Sequence, residues 1–174
     1  MTIERTQIKF ALSKGGGEII GFVSRNSKTK KLKGVRENST YGKKIVVLSE
    51  DLKGKISPNL LYEVELKEMH NGNGFVAISA KLVKFPASFE TTIEMREAYQ
   101  IRILFGNKTI YFDPMNGRSP SSRTIQGVVG VLKCRQDIED IDNVLLEFRA
   151  KSQQLVKIMT SHGVPYQSAI DFEP

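Results

Sequence analysis

The residues best suited to chemistry in this sequence are cations, not nucleophiles or metal ligands. Arg25, Lys28, Lys30, Lys31, Lys33, Arg36, Lys43 and Lys44 crowd the stretch 25–44, against one acid, Glu37. Concentrating like charge in a short segment costs self-repulsion, which an anionic partner offsets. Tyr41 lies among these cations. Single-stranded nucleic acid needs cations for its phosphates and aromatic faces for its bases. Arg102 and Tyr111 form a second pair of this kind, since a base stacks on either side chain. Arg118 and Arg123, in a stretch rich in Ser, Gly and Pro, are placed to close over a bound strand. Each feature also has a plainer reading. A Lys run is often a solvated loop, and an Arg–Tyr pair is often an ordinary cross-strand contact.

Catalytic patterns are weak by comparison. The two histidines fall in a turn (His70) and at a helix end (His162), and neither position suggests a triad. Glu63 and Glu65 share one face of a strand, as paired carboxylates would, but also as solvated surface residues do. Asp113 and the acids from Asp137 to Asp142 suit a divalent ion, yet acids at a helix start already have a structural reason. Gly15-Gly16-Gly17 lacks the following Lys-Ser/Thr of a phosphate loop, and Gly127 to Gly130 makes no dinucleotide fingerprint. The single cysteine, Cys134, excludes an internal disulfide and any zinc site built on a cysteine pair. The expectation is a non-enzyme with no catalytic residue, metal or cofactor.

Composition sets the frame for these residues. The chain has 174 residues, 40% hydrophobic and 26% charged, with no Trp, which is ordinary globular usage. Net charge is +7. Residues 1–60 hold 13 Lys+Arg against 5 Asp+Glu, and residues 61–174 hold 13 against 14. No segment has the apolar length of a signal peptide or of a membrane helix. A lone thiol fits a reducing compartment, so the expected location is the cytoplasm and no membrane is expected as partner.

The elements that must position the cations follow from periodicity. Residues 7–12 alternate apolar and polar, Gly15 to Gly17 is a turn, and residues 19–23 form a second strand, which makes a hairpin. The stretch 25–44 is a long loop without sustained period. Residues 44–49 are a strand. Tyr62, Val64 and Leu66 alternate with charged residues, 70–74 is an Asn/Gly turn, and 75–85 returns to complete a hairpin. Residues 88–98 are a short helix or a connection. A hairpin spans 100–113 with its turn at Gly106-Asn107, pairing Ile101 with Phe112, Ile103 with Ile110 and Arg102 with Tyr111. Residues 124–132 are one more strand. Apolar residues at Ile138, Ile141, Leu145, Phe148, Leu155 and Met159 predict a helix over about 138–161, capped by Asp137 and stopped at His162-Gly163.

The fold expected is mainly antiparallel β, an OB-like or related small barrel, with one long C-terminal helix, α+β overall. One compact domain covers 1–163, and 164–174 is a mobile tail. In OB-type barrels a loop between early strands and one sheet face commonly carry single-stranded nucleic acid. The function expected is therefore non-catalytic binding of single-stranded DNA or RNA through the basic loop and a sheet face. The alternative is a protein-interaction or assembly protein, a homo-oligomer through helix 138–161, whose second stripe runs through Val144, Lys151 and Ile158.

Overall fold

A computed structural model describes residues 2–39, 42–95, 98–114 and 124–164. The chain splits into two compact units, Met1–Val83 and Lys84–Pro174.

In the first unit, β1 (Ile3–Lys9) and β2 (Ala11–Leu12) form one run broken at Phe10. Across the Ser13–Glu18 turn, β2 pairs with β3 (Ile19–Arg25). The turn uses Gly16 and Gly17 at positive φ, which a side chain would disfavour. The chain then folds back as β4 (Leu32–Val35) on one edge of β3, and β5 (Lys43–Leu48) takes the other edge. A hairpin of β6 (Leu61–Glu68) and β7 (Gly74–Leu82) follows, with the expected Asn/Gly turn. The strand order is β1-β6-β7-β5-β3-β2, with β4 beside β3; only β5 and β7 run parallel. The sheet curls until β4 lies against β1. Thr6 donates its hydroxyl to the Leu32 carbonyl, 3.1 Å away, and a Cβ on Gly34 would come within 2.4 Å of the Gln7 carbonyl oxygen.

Alternation sorts this unit's side chains. Ile8, Phe10, Val23, Val46, Tyr62, Val64, Leu66, Phe75 and Ala77 fill the interior. Phe10 and Tyr62 meet edge-on at 6.2 Å, and the Tyr62 hydroxyl accepts from the Ser57 amide, which fixes the turn after β5. Two sequence expectations change here. Only Ala11 and Leu12 of the 7–12 segment pair with β3, because residues 3–9 pair instead with β6. The stretch 25–44 is not a single loop. The Asn26 side chain accepts from the Lys28 and Thr29 amides, and Lys30 adopts φ +62°, so the chain turns tightly and returns as β4.

The second unit is a three-stranded antiparallel sheet with two helices on one face. Its strands are β8 (Ala87–Met95), β9 (Ala98–Phe105) and β10 (Lys108–Phe112), in the order β10-β9-β8. The register across Gly106-Asn107 is the expected one: Ile101 opposite Phe112, Ile103 opposite Ile110, Arg102 opposite Tyr111. Ile101, Ile103, Phe105, Ile110 and Phe112 are buried with residues of α1 (Ile125–Lys133) and α2 (Ile141–Ser161). Phe112 meets Phe148 edge-on at 5.5 Å.

Three expectations for this unit are corrected. Residues 88–95 lie in β8 and Ala98 begins β9, so the described part of 88–98 is neither a short helix nor a connection. Residues 125–132 are helical, not a strand. Their β-branched residues favour a strand locally, but Ile125, Val128, Val129 and Leu132 recur at helical spacing and are the buried ones, and Thr124 caps the first turn by accepting from the Gly127 amide. The final helix begins at Ile141. Residues 137–139 are held beside Phe85, whose amide donates to the Asp137 carbonyl and whose carbonyl accepts from the Glu139 amide. Asp137 is therefore no cap; it is buried, with the Lys108 ammonium 2.9 Å from one carboxylate oxygen. The fold is thus mainly β with two helices, α+β. Among the described residues, no helix is long and apolar enough to cross a membrane.

Candidate nucleic-acid interface

The cations of 25–44 divide by what they touch. Arg25, at the end of β3, is committed to structure. It forms a two-pronged pair with Glu4, at 2.7 and 2.8 Å, and donates to the Lys30 carbonyl at 2.7 Å. The hydrogen bond from Arg25 holds the Glu4 carboxyl below its usual range, and Glu4 raises the Arg25 guanidinium in turn. Arg25 thus ties the basic hairpin to β1. Lys28, Lys30 and Lys31 are exposed in the turn that follows, and Lys33 is exposed on β4. Among the described residues, none of these four lysines is in an ion pair.

Pairing places other cations beside an aromatic ring. On the outer face of β4, β3 and β5, Ser24 lies between Lys33 and Lys43, and Phe22 lies between Val35 and Ile45. One row is cationic and the next is apolar. Lys43 donates to the Glu37 carbonyl, and its ammonium sits 4.8 Å from the centroid of the Phe22 ring, within cation–π distance. Lys44 falls on the opposite face at the start of β5, where its ammonium reaches the Gly72 carbonyl at 3.3 Å.

Phe22 is the residue that sequence reasoning missed. Ile19 to Val23 is apolar apart from one glycine, so alternation could not say which side faces in. The structure decides through Gly21: a Cβ there would meet Ile8 at 2.7 Å. Only glycine fits that inward position, and Phe22 therefore turns outward, half-buried.

A groove of about 490 Å³ opens beside it, lined by residues of β1–β2 and of β3–β4 with the segment after β4. Phe22, Ile20, Leu12 and Val35 supply apolar surface, and Lys9, Arg36 and the acid Glu37 supply charge. Leu12 is 57% exposed, unusual for so large an apolar side chain.

The remaining candidates lie elsewhere. Arg102 and Tyr111 face each other on the exposed side of the second unit's sheet, but the Arg102 guanidinium is 2.5 Å from the Glu90 carboxylate. Tyr41, Arg118 and Arg123 lie outside the described residues. Glu63 and Glu65 share the outer face of β6 with Arg5, Ser79 and Lys81 in a second groove. Glu65 accepts from the Ser79 hydroxyl at 2.7 Å and from Arg5 at 3.3 Å, and these bonds hold its carboxyl below the usual range. Both acids are thus engaged as ordinary surface acceptors; Glu63 takes a long bond from Gln7. His162 is 3.0 Å from the buried Tyr99 hydroxyl. No cluster of three or more His, Cys, Asp or Glu with metal-site geometry occurs among the described residues. On α2, Val144 is buried and Ile158 packs on the core, so the second stripe largely belongs to the unit's own interior; Leu146 is 66% exposed. No protein-family model matches this chain, and neither does any curated protein or solved structure.

Proposed function

We propose that the chain is a non-catalytic, cytoplasmic nucleic-acid-binding protein that prefers single-stranded DNA or RNA to duplex. One observation carries the reading: adjacent cross-strand rows on an open sheet face, Lys33–Ser24–Lys43 and Val35–Phe22–Ile45. A single strand presents phosphates and unpaired bases side by side, and this face offers cations and an aromatic ring in the same arrangement. Lys28, Lys30, Lys31 and Arg36 extend the cationic surface. Arg102 and Tyr111 stay out of the contact while Glu90 holds the guanidinium, and would add to it only in a variant without that acid.

The strand order supports an OB-type barrel for the first unit. Around the curl, β1–β2, β3, β5, β6 and β7 take the five barrel positions in chain order, and the parallel neighbours are the third and the fifth. Such barrels bind oligonucleotides and oligosaccharides on the face of their second and third strands, here β3 and β5. The likeness is architectural, and the functional reading rests on the residues. The competing reading, self-association through α2, has the exposed Leu146 in its favour and no larger apolar patch on that helix.

The test is a fluorescence-anisotropy titration of the full chain against labelled single-stranded DNA, single-stranded RNA and duplex DNA, each at two salt concentrations. Tight, salt-sensitive binding that favours a single strand is expected. Absence of binding at low salt, where phosphate attraction is strongest, overturns the proposal.

A further inference from the structure

We propose that the groove between β1–β2 and β3–β4 seats one unpaired nucleobase of a bound single strand, with Phe22 as its stacking surface and Lys9 and Arg36 on the flanking phosphates. This rests on the single-strand reading above and adds where the strand is gripped and why duplex is refused.

The groove has two incompatible halves for any simpler ligand. Its wall is apolar, built from Leu12, Ile20, Phe22 and Val35, so a free inorganic anion gains nothing from most of it. Yet Lys9 and Arg36 are both exposed, in no ion pair among the described residues, and outnumber the lining's one acid, Glu37, so an uncharged apolar ligand leaves their charge unused. A nucleotide within a strand satisfies both halves: a flat ring for the wall and phosphates for the cations. Asn59, exposed at the margin, carries an amide that both donates and accepts, as a base edge requires. About 490 Å³ lies within the range of roughly 300–1,000 Å³ usual for pockets that hold small molecules.

The backbone explains why the groove stays open. Gly21 and Gly34 both line it, and both approach β1 too closely for a Cβ, at 2.7 Å from Ile8 and 2.4 Å from Gln7. Side chains at these two positions would part the strands, so the wall between the apolar residues is bare backbone. In a duplex the base faces are already stacked on their neighbours, so reaching Phe22 requires unstacking.

The chain contains no Trp, so Phe22→Trp places a lone tryptophan, excited selectively over the tyrosines, in the groove. Binding is followed in parallel by anisotropy of labelled oligothymidylate, oligouridylate and a duplex. The expected result is quenching of the new emission by the single strands as they saturate, with the two strand types separating DNA from RNA preference, and no quenching by duplex. Phe22→Ala is expected to weaken single-strand binding by roughly 5- to 150-fold, the range for removing one base stack, with little change in salt dependence. Leu12→Glu, at an exposed position that leaves the fold intact, is expected to weaken it too. If the strand binds but the emission does not change and Leu12→Glu binds normally, the groove assignment is overturned while the broader reading survives. If the wild-type chain binds no single strand at all, both fall together.

Discussion

The two units each expose a sheet face with an aromatic ring beside a cation, and the two faces differ in whether that cation is held by a carboxylate. On the first, Lys33 and Lys43 flank Ser24 next to Phe22; Lys43 donates to the Glu37 carbonyl, and neither lysine is in an ion pair among the described residues. On the second, Arg102 sits opposite Tyr111 but is held by Glu90 at 2.5 Å. The charge balance repeats the contrast. The first unit holds 15 Lys+Arg against 8 Asp+Glu, and the second holds 11 of each, so the whole excess of +7 belongs to the first. An aromatic next to a cation is thus a weak sign of function by itself; what separates the faces is the absence of a neutralising acid.

The largest expected effect lies in the second unit's core. Phe148 is fully buried against Phe112, and Phe148→Ala should cost about 3–5 kcal/mol. Calorimetry should show that loss in the second unit's unfolding, while oligonucleotide affinity at low temperature stays at the wild-type level. A parallel loss of affinity would mean the second unit takes part in binding.

Next comes the basic hairpin. Replacing Lys28, Lys30, Lys31 and Lys33 together with Ala should weaken single-strand binding on the order of 100-fold at low salt. The logarithmic salt dependence should flatten by roughly 0.7 for each phosphate that is no longer neutralised. Circular dichroism and melting temperature should stay unchanged, since these side chains are exposed and make no ion pair among the described residues. An unchanged slope in the titration would remove the hairpin from the interface.

Glu90→Gln tests the comparison from the other side. Freeing Arg102 should raise single-strand affinity by a factor of about 2–3, the scale of an exposed ion pair. If affinity does not move, the second face is silent for reasons other than Glu90. The smallest effect concerns Glu4. Its pKa in the folded chain is depressed by Arg25, so its contribution is fully present above the ordinary carboxylate range and is lost as pH falls through the lowered value. For so exposed a pair the change should be below about 1 kcal/mol. Arg25→Gln should remove that part of the acid-side slope in melting temperature.

Much of the fold was legible in the sequence wherever one periodicity and one turn signal agreed. The β9–β10 register followed from Gly106-Asn107 and alternation alone, and the β6–β7 hairpin from its Asn/Gly turn. Local patterns failed where a long-range contact decided. Residues 3–9 prefer β6, some sixty positions away, over the hairpin that their neighbours form. Thr124 to Leu132 satisfies strand propensity, but its apolar residues recur at the spacing of a helix face. Asp137 resembles a cap and is instead a buried partner of Lys108. The cations of the candidate interface were visible as a cluster. Phe22 was not, because its outward turn depends on Gly21 meeting Ile8, a contact that no local pattern encodes.

The most direct measurement is backbone-amide NMR mapping of the full chain with and without unlabelled oligothymidylate. Shifts are expected in β3, β4, the start of β5 and the groove residues from Gln7 to Leu12, with β8 to β10 and α2 unmoved. Shifts concentrated on β8 to β10 or on α2, or none at saturating oligonucleotide, would contradict the proposed interface.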